Sequence, residues 1–260
     1  MTSNNVNNLL GSAQDDGAVT EEALQAINVT DLNTQIEAGL GIDVDDVMAS
    51  EVVLVTQVLD DSSSIRFAGN TQIVCDGHNL VLESMEGSKQ GDGILIHATT
   101  LNSGVLYPFE PLNQNVRVSP GQYNPSGSTP LYDRAATVLA TVIAKAQEFE
   151  NNGVAVRTVS LLVSDGGDNA SRITAADIKK VVDDMHRSES HIIAGMGIDD
   201  GYTDFKQVFS EMGIPDEWIL TPGNTESEIR KAFNVFSQSA VRASQSAANF
   251  SQAKIGGFAD

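Results

Sequence analysis

Three short runs combine carboxylates with hydroxyls: Asp60-Asp61-Ser62-Ser63-Ser64, Ser126-Gly127-Ser128-Thr129 and Asp165-Gly166-Gly167-Asp168-Asn169. None of them holds a thiol or an imidazole. Hard oxygen donors of this kind suit magnesium, calcium or manganese better than zinc or copper. Each run also has an ordinary reading, since Asp and Ser after a strand cap helices and Asp-Gly-Gly-Asp is a common turn. Their conjunction is what points to a divalent-metal site.

The flanking residues say how such runs would be brought together. Glu51–Asp60 is β-branched and almost continuously apolar, as a strand covered on both faces should be. Thr71–Gly87 places Ile73, Val74, Gly77, Leu80, Val81 and Met85 on one helical face. Residues 93–101 and 105–112 read as strands joined by the Asn102-Ser103-Gly104 turn, and Pro108 and Pro111 confine the second to an edge. A Gly/Ser/Pro-rich loop leads into a long helix with Pro130 in its first turn and Gly153 at its close. Residues 154–164 form a buried strand ending in acids. Then come a helix over 176–188, a strand from His191, a helix from Phe205, a short strand at 217–221 and a last helix from Asn224. That helix carries Ile229, Ala232, Phe233, Phe236 and Ala240 on one stripe. Alternating strands and helices predict a three-layer α/β domain, its sheet mostly parallel with one antiparallel edge strand and helices on both faces. Ligands of such sheets sit at the carboxyl ends of the strands, near the point where strand order reverses. All three runs fall there.

The pattern Asp60-x-Ser62-x-Ser64, then Thr129, then Asp165, resembles the metal-ion-dependent adhesion site (MIDAS) of von Willebrand factor A (VWA) domains, which have a Rossmann-like fold. The resemblance covers roughly residues 51–240 and includes SGSTPLYD, LLVSDGGDN and AGMGIDD. EIRKAFNVFSQSAV is weakly similar to the closing helix of stand-alone bacterial VWA proteins of the tellurite-resistance type. By this resemblance Ser62 and Ser64 would bind Mg²⁺ (or Mn²⁺ or Ca²⁺) directly, and Thr129 directly or through water. Asp60 and Asp165 would act through water or hydroxyl contacts. Two carboxylates balance a divalent ion, and the position left open would take an Asp or Glu of a partner protein. The function implied is metal-dependent protein–protein binding without catalysis. Ser63 stands where the family often has glycine, and Asp61 and Asp168 add negative charge.

An enzymatic alternative is a haloacid-dehalogenase-like, magnesium-dependent phosphotransferase with Asp60 as nucleophile and Thr129, Asp165 and Asp168 in support. That chemistry wants a second acid where Ser62 stands, and a lysine before the acidic loop. Lys145, at mid-helix, is better explained by an amphipathic surface. A structural subunit with a silent site is a third reading. Gly195-Met196-Gly197 with Gly201 misses a dinucleotide fingerprint by one residue and reads as a strand-end turn. His78, His97, His186 and His191 lack metal-ligand spacing. Neither a Walker A sequence nor a G-x-S-x-G elbow occurs. Asn28-Val29-Thr30 fits a glycosylation acceptor, which a cytosolic chain would leave unused. Cys75, the lone cysteine, falls on the apolar face of its helix and excludes disulfide scaffolds and cysteine-based metal clusters.

Charge divides the chain. Of a formal −20, residues 1–65 carry −12, with twelve acids and no Lys or Arg. Such acidity repels nucleic acid and anionic membranes, and no apolar run approaches the roughly 18 residues of a membrane span. Without a basic region ahead of an apolar core, the expected location is cytoplasmic. Residues 1–50 read as an acidic arm, mobile to about residue 18, with short helices at Thr20–Ile27 and from an Asp31 cap to Leu40. Residues 51–240 read as the folded domain, and 241–260 as a tail that frays.

Overall fold

The computed structural model describes residues 3–27, 29–86, 93–112, 117–245 and 257–258. In chain order the elements are α1 (Ser3–Asp15), α2 (Glu21–Ala26), α3 (Val29–Leu40), β1 (Glu51–Leu59), α4 (Ser63–Phe67), α5 (Thr71–Glu86), β2 (Ile94–Thr100) and β3 (Val105–Pro111). They continue as α6 (Leu131–Glu150), β4 (Ala155–Ser164), α7 (Ala175–Arg187), β5 (His191–Gly197), α8 (Phe205–Glu211), β6 (Ile219–Leu220) and α9 (Glu226–Gln245).

One six-stranded sheet runs in the order β3-β2-β1-β4-β5-β6. All neighbours are parallel except β2 and β3. Strand order therefore reverses between β1 and β4, and the three-layer α/β expectation holds. Every residue of β1 after Glu51 is buried, as its unbroken apolar run requires. Helices α5 and α9 pack on each other, with Gly77 so close to Phe233 that an added Cβ would lie 2.1 Å from its ring. Helix α6 packs on β1 and β4, with α7 beside it and α1, α2 and α3 outside.

The stretch read as mobile is a helix. Val6, Leu9, Leu10 and Ala13 recur at i, i+3, i+4 and i+7, and all are buried in the one core. Gln147 of α6 donates to Asp16 at 2.7 Å, and the Thr20 amide and hydroxyl both donate to Asp184 of α7 at 2.7 Å. Helix α3 starts at Val29, ahead of the cap expected at Asp31. Gly41 ends it at φ +64°, where an added Cβ would lie 2.0 Å from the Phe109 carbonyl oxygen. The Ile42 amide then donates to that carbonyl at 2.9 Å, so the arm covers part of edge strand β3.

Helix α9 runs to Gln245, past the start expected for the tail. Most of that tail lies outside the described residues. Phe258 does not: its amide donates to the Glu217 carbonyl at 2.9 Å and its ring meets Trp218 edge-on at 5.2 Å. Among the described residues no helix is long and apolar enough to cross a membrane.

Candidate functional site

Asp60 follows β1 and Asp165 follows β4, so the two carboxylates flank the reversal point directly. Ser62 caps the short helix α4, and Ser64 lies in its first turn. The Ser64 hydroxyl donates to Asp165 Oδ1 at 2.6 Å, Ser62 Oγ reaches the same oxygen at 3.3 Å, and the two hydroxyls are 2.8 Å apart. Asp60 is fully buried. Its Oδ1 accepts from the Ser62 amide at 2.7 Å, and its Oδ2 from Ser164 Oγ at 2.8 Å and the Asp165 amide at 3.0 Å. Tyr123, buried in the loop before α6, donates its hydroxyl to the Asp60 main-chain carbonyl.

Thr129 is held differently. Its amide donates to Asn169 Oδ1 at 2.9 Å and its carbonyl accepts from the Asn169 amide at 3.1 Å. Its hydroxyl lies beside Gly166, 3.7 Å from where a Cβ there would sit. The fold thus joins Asp60, Ser62, Ser64 and Asp165 in one hydrogen-bonded cluster and sets Thr129 against its rim.

Burial pushes the Asp165 carboxyl up to about 6, and Asp60 beside it acts in the same direction, while the Ser64 and Ser62 hydroxyls oppose both. Burial also raises Asp60, against the pull of its hydrogen-bond donors. These groups form a compact, hydroxyl-bridged anionic cluster with Ser64 exposed at its mouth.

The expected resident Mg²⁺, Mn²⁺ or Ca²⁺ has to be corrected. Among the described residues no group of three or more His, Cys, Asp or Glu side chains comes together to hold an ion. Both oxygens of Asp60 are occupied by protein donors, and Asp165 accepts from both serines. The same geometry removes the support for a phosphotransferase nucleophile, which needs a carboxylate oxygen open to substrate. Lys145 is no candidate for that chemistry either. It is fully buried, against the surface position expected, and donates to Glu148 at 2.8 Å and to the Ile42 carbonyl.

Asp61 and Asp168 have structural roles that their sequence positions did not reveal. Asp61 is buried and accepts from the amides and side chains of Asn102 and Ser103, at 2.7 to 3.0 Å, which clamps the β2–β3 turn. Asp168 accepts from the Tyr132 amide at 3.1 Å, doing for α6 what Pro130 at its start cannot. Gly195 and Gly197 lie inside β5 and leave room for the rings of Phe209 and Phe205, in place of the strand-end turn expected.

Two exposed aromatics went unnoticed in the sequence. Phe67 ends α4 with 79% of its surface exposed, the Arg66 guanidinium 5.2 Å above its ring. Tyr202 is 97% exposed on the loop after β5. That loop is braced: Asp199 accepts from the Gly201 amide at 2.8 Å, and Asp200 from the Tyr202 amide at 2.9 Å and from Thr203. The segment after α4 joins it through Asn70–Asn224 at 2.5 Å and Asp199–Pro222 at 3.0 Å. Single apolar residues on a surface are common; an aromatic held out on a braced loop is the signal.

No family model and no curated protein matches the chain. Solved structures do. Proximal thread matrix protein 1 from the mussel byssus aligns with a TM-score of 0.51 and 16% identity over 74% of this chain and 46% of its own. The pilus adhesin SpaC from Lactobacillus rhamnosus GG aligns with a TM-score of 0.53 and 10% identity over 74% of this chain and 31% of its own. With the sheet order already in hand, the architecture is settled. The fold is of the VWA type. This chain spans under half the length of the mussel protein and under a third of the adhesin. One mussel structure has a zinc-occupied MIDAS motif, but at 15% identity the likeness extends to the fold alone.

Proposed function

We propose that this VWA-type domain is a protein-binding module without catalytic activity, engaging its partner at the carboxyl-end rim of β1, β4 and β5. The observation that carries the reading is the placing of Phe67, at the end of α4, and Tyr202, on the loop after β5, both exposed on segments that flank the Ser62–Ser64–Asp165 cluster. Aromatic and arginine side chains dominate the energetics of protein interfaces, and Arg66 stands on Phe67. The exposed Ser64 supplies a hydrogen-bonding hydroxyl beside these anchors.

The rim also fixes the charge of the partner. Asp165, Asp168, Asp199, Asp200 and Asp204 crowd these loops, in a chain of formal charge −20. A partner acid, expected when an ion was expected, would meet net repulsion here, opposed by the Arg66 guanidinium over Phe67. A basic, partly apolar surface is complementary and would associate faster at low salt.

The test is a pull-down with the wild-type chain and with Phe67→Ala/Tyr202→Ala, followed by reconstitution with each purified candidate. Wild type should bind, the double variant should lose about 2 kcal/mol or more, and added salt should slow association. Equal binding by both proteins would refute the rim as the binding face. Turnover of a generic phosphate ester, abolished by Asp60→Asn, would refute the non-catalytic reading.

A further inference from the structure

Beside the rim, a recess of ≈ 430 Å³ opens between the arm and the first turns of α6. Its volume falls in the range of small-molecule sites, about 300–1,000 Å³. Leu32, Leu101 and Ile173 give it apolar walls, and Arg134 and Arg172 also line it.

Arg134 is unusual among the bases set into this fold. Lys145 and Arg157 each pair with a carboxylate, Glu148 and Glu51. Arg134 instead donates from Nε and Nη2 to the Leu101 carbonyl at 3.3 and 3.1 Å, and from Nη1 to Gln35 Oε1 at 3.2 Å. Its hydrogen-bond partners are thus neutral oxygens, although Asp61 and Asp133 lie near enough to favour its charge.

Arg172 is brought alongside by Asp133. One Asp133 oxygen accepts from the amides of Arg172 at 3.0 Å and Ile173 at 2.9 Å, which fixes that loop to α6. The other acid on the recess wall, Asp177, accepts from the amide and hydroxyl of Thr174 in a helix cap. Both carboxylates are tied to the fold by hydrogen bonds, and among the described residues neither guanidinium on the recess wall has a carboxylate within ion-pair distance. An anion entering the recess would meet guanidinium donors and be bound by charge-assisted hydrogen bonds.

We propose that this recess binds a small organic acid, its carboxylate between Arg134 and Arg172 and its apolar body against Leu32, Leu101 and Ile173. The site is distinct from the rim cluster and does not depend on the protein-binding reading. A lone anion suits it better than a macromolecular surface, because the arm narrows the approach.

The experiment is an NMR titration of the full chain with benzoate and hexanoate, using benzamide and hexanamide as uncharged twins. The acids should shift the amides of residues 101, 134 and 172–173, with the amides of the same ligands binding about tenfold or more weakly. Arg172→Gln, at an exposed side chain, should weaken the acids about tenfold and leave the melting temperature unchanged. Arg134→Gln should abolish binding; if it also unfolds the chain, Arg172→Gln alone decides. Acid and amide binding alike, wild-type affinity in Arg172→Gln, or no shift at the recess would each overturn the proposal.

Discussion

Lys145, inside α6, donates to the main-chain carbonyl of Ile42, so a fully buried ammonium ties the central helix to the segment that leaves the arm. Burial lowers its pKa, and the Glu148 carboxylate opposes that shift. Lys145→Met should destabilise the fold by about 2–4 kcal/mol, because it strands both Glu148 and the Ile42 carbonyl. Urea denaturation measures the loss, and hydrogen exchange should quicken most in α1 and α3. Adding Glu148→Leu should recover part of it. A loss under about 0.5 kcal/mol would mean that the arm is held by its apolar contacts alone.

Acid should weaken this fold through its histidines. His78 and His97 are pushed down to about 3 and His191 to about 4, all chiefly by burial. The unfolded chain takes up their protons near pH 6.5 and the folded chain does not, so their contribution is complete above that pH. It is lost as pH falls toward the folded values, at about 1.4 kcal/mol per unit for each imidazole. Asp165, raised to about 6, works in the opposite direction between pH 6 and its ordinary value and offsets part of the loss.

His97 separates these contributions. Neither of its ring nitrogens has a hydrogen-bond partner among the described residues, whereas His78 lies 2.7 Å from the Tyr107 hydroxyl. His97→Leu should therefore leave neutral-pH stability within about 1 kcal/mol of wild type, since it removes an unsatisfied buried group. It should also flatten the acid limb. His78→Leu should cost about 1–3 kcal/mol, by leaving Tyr107 unpaired. Chemical denaturation across pH 4 to 8 distinguishes them, and identical profiles would contradict the assignment.

Ser64→Ala should raise the Asp165 pKa further, because it deletes the 2.6 Å hydrogen bond that stabilises the carboxylate. Carboxyl-carbon NMR reads the change directly. Ser64 is exposed, so global stability should move by less than about 1 kcal/mol. A pKa that stays put would show that Ser62 alone supports Asp165.

Gly41→Ala should cost more than about 1 kcal/mol, since φ is positive and the new methyl meets the Phe109 carbonyl. Once the arm is displaced, β3 is a bare edge. Light scattering should then show concentration-dependent association, and a monodisperse variant would place the protection elsewhere.

Much of this structure was legible in the sequence because strands covered on both faces announce themselves by unbroken β-branched runs, as in β1 and β4. The meeting of Asp60, Ser62, Ser64 and Asp165 followed from their places at strand ends. Helix α1 is hidden by its composition: Val6, Leu9, Leu10 and Ala13 keep strict helical spacing, but they are only four apolar residues in an Asn-rich stretch. Lys145 illustrates a different limit. Nothing local distinguishes a surface lysine from one whose partner, Ile42, lies a hundred residues earlier in the chain. The bound-ion expectation failed for a related reason: Ser164 and the Asp165 amide occupy Asp60, and backbone donors leave no trace in residue types.

The arm's late docking has a consequence during synthesis. Helices α1 and α3 pack on α6, and β1 finds its central neighbour only in β4, so neither can complete its contacts until the ribosome has passed residue 164. At about 5–20 residues per second, the apolar side chains of the arm wait roughly 6–30 s for their cover. Throughout that interval the emerging segment carries twelve acids and not one Lys or Arg before Arg66. Mutual repulsion keeps such a nascent chain expanded and away from its neighbours, which gives the lopsided charge of the N-terminal quarter a role before the native state exists.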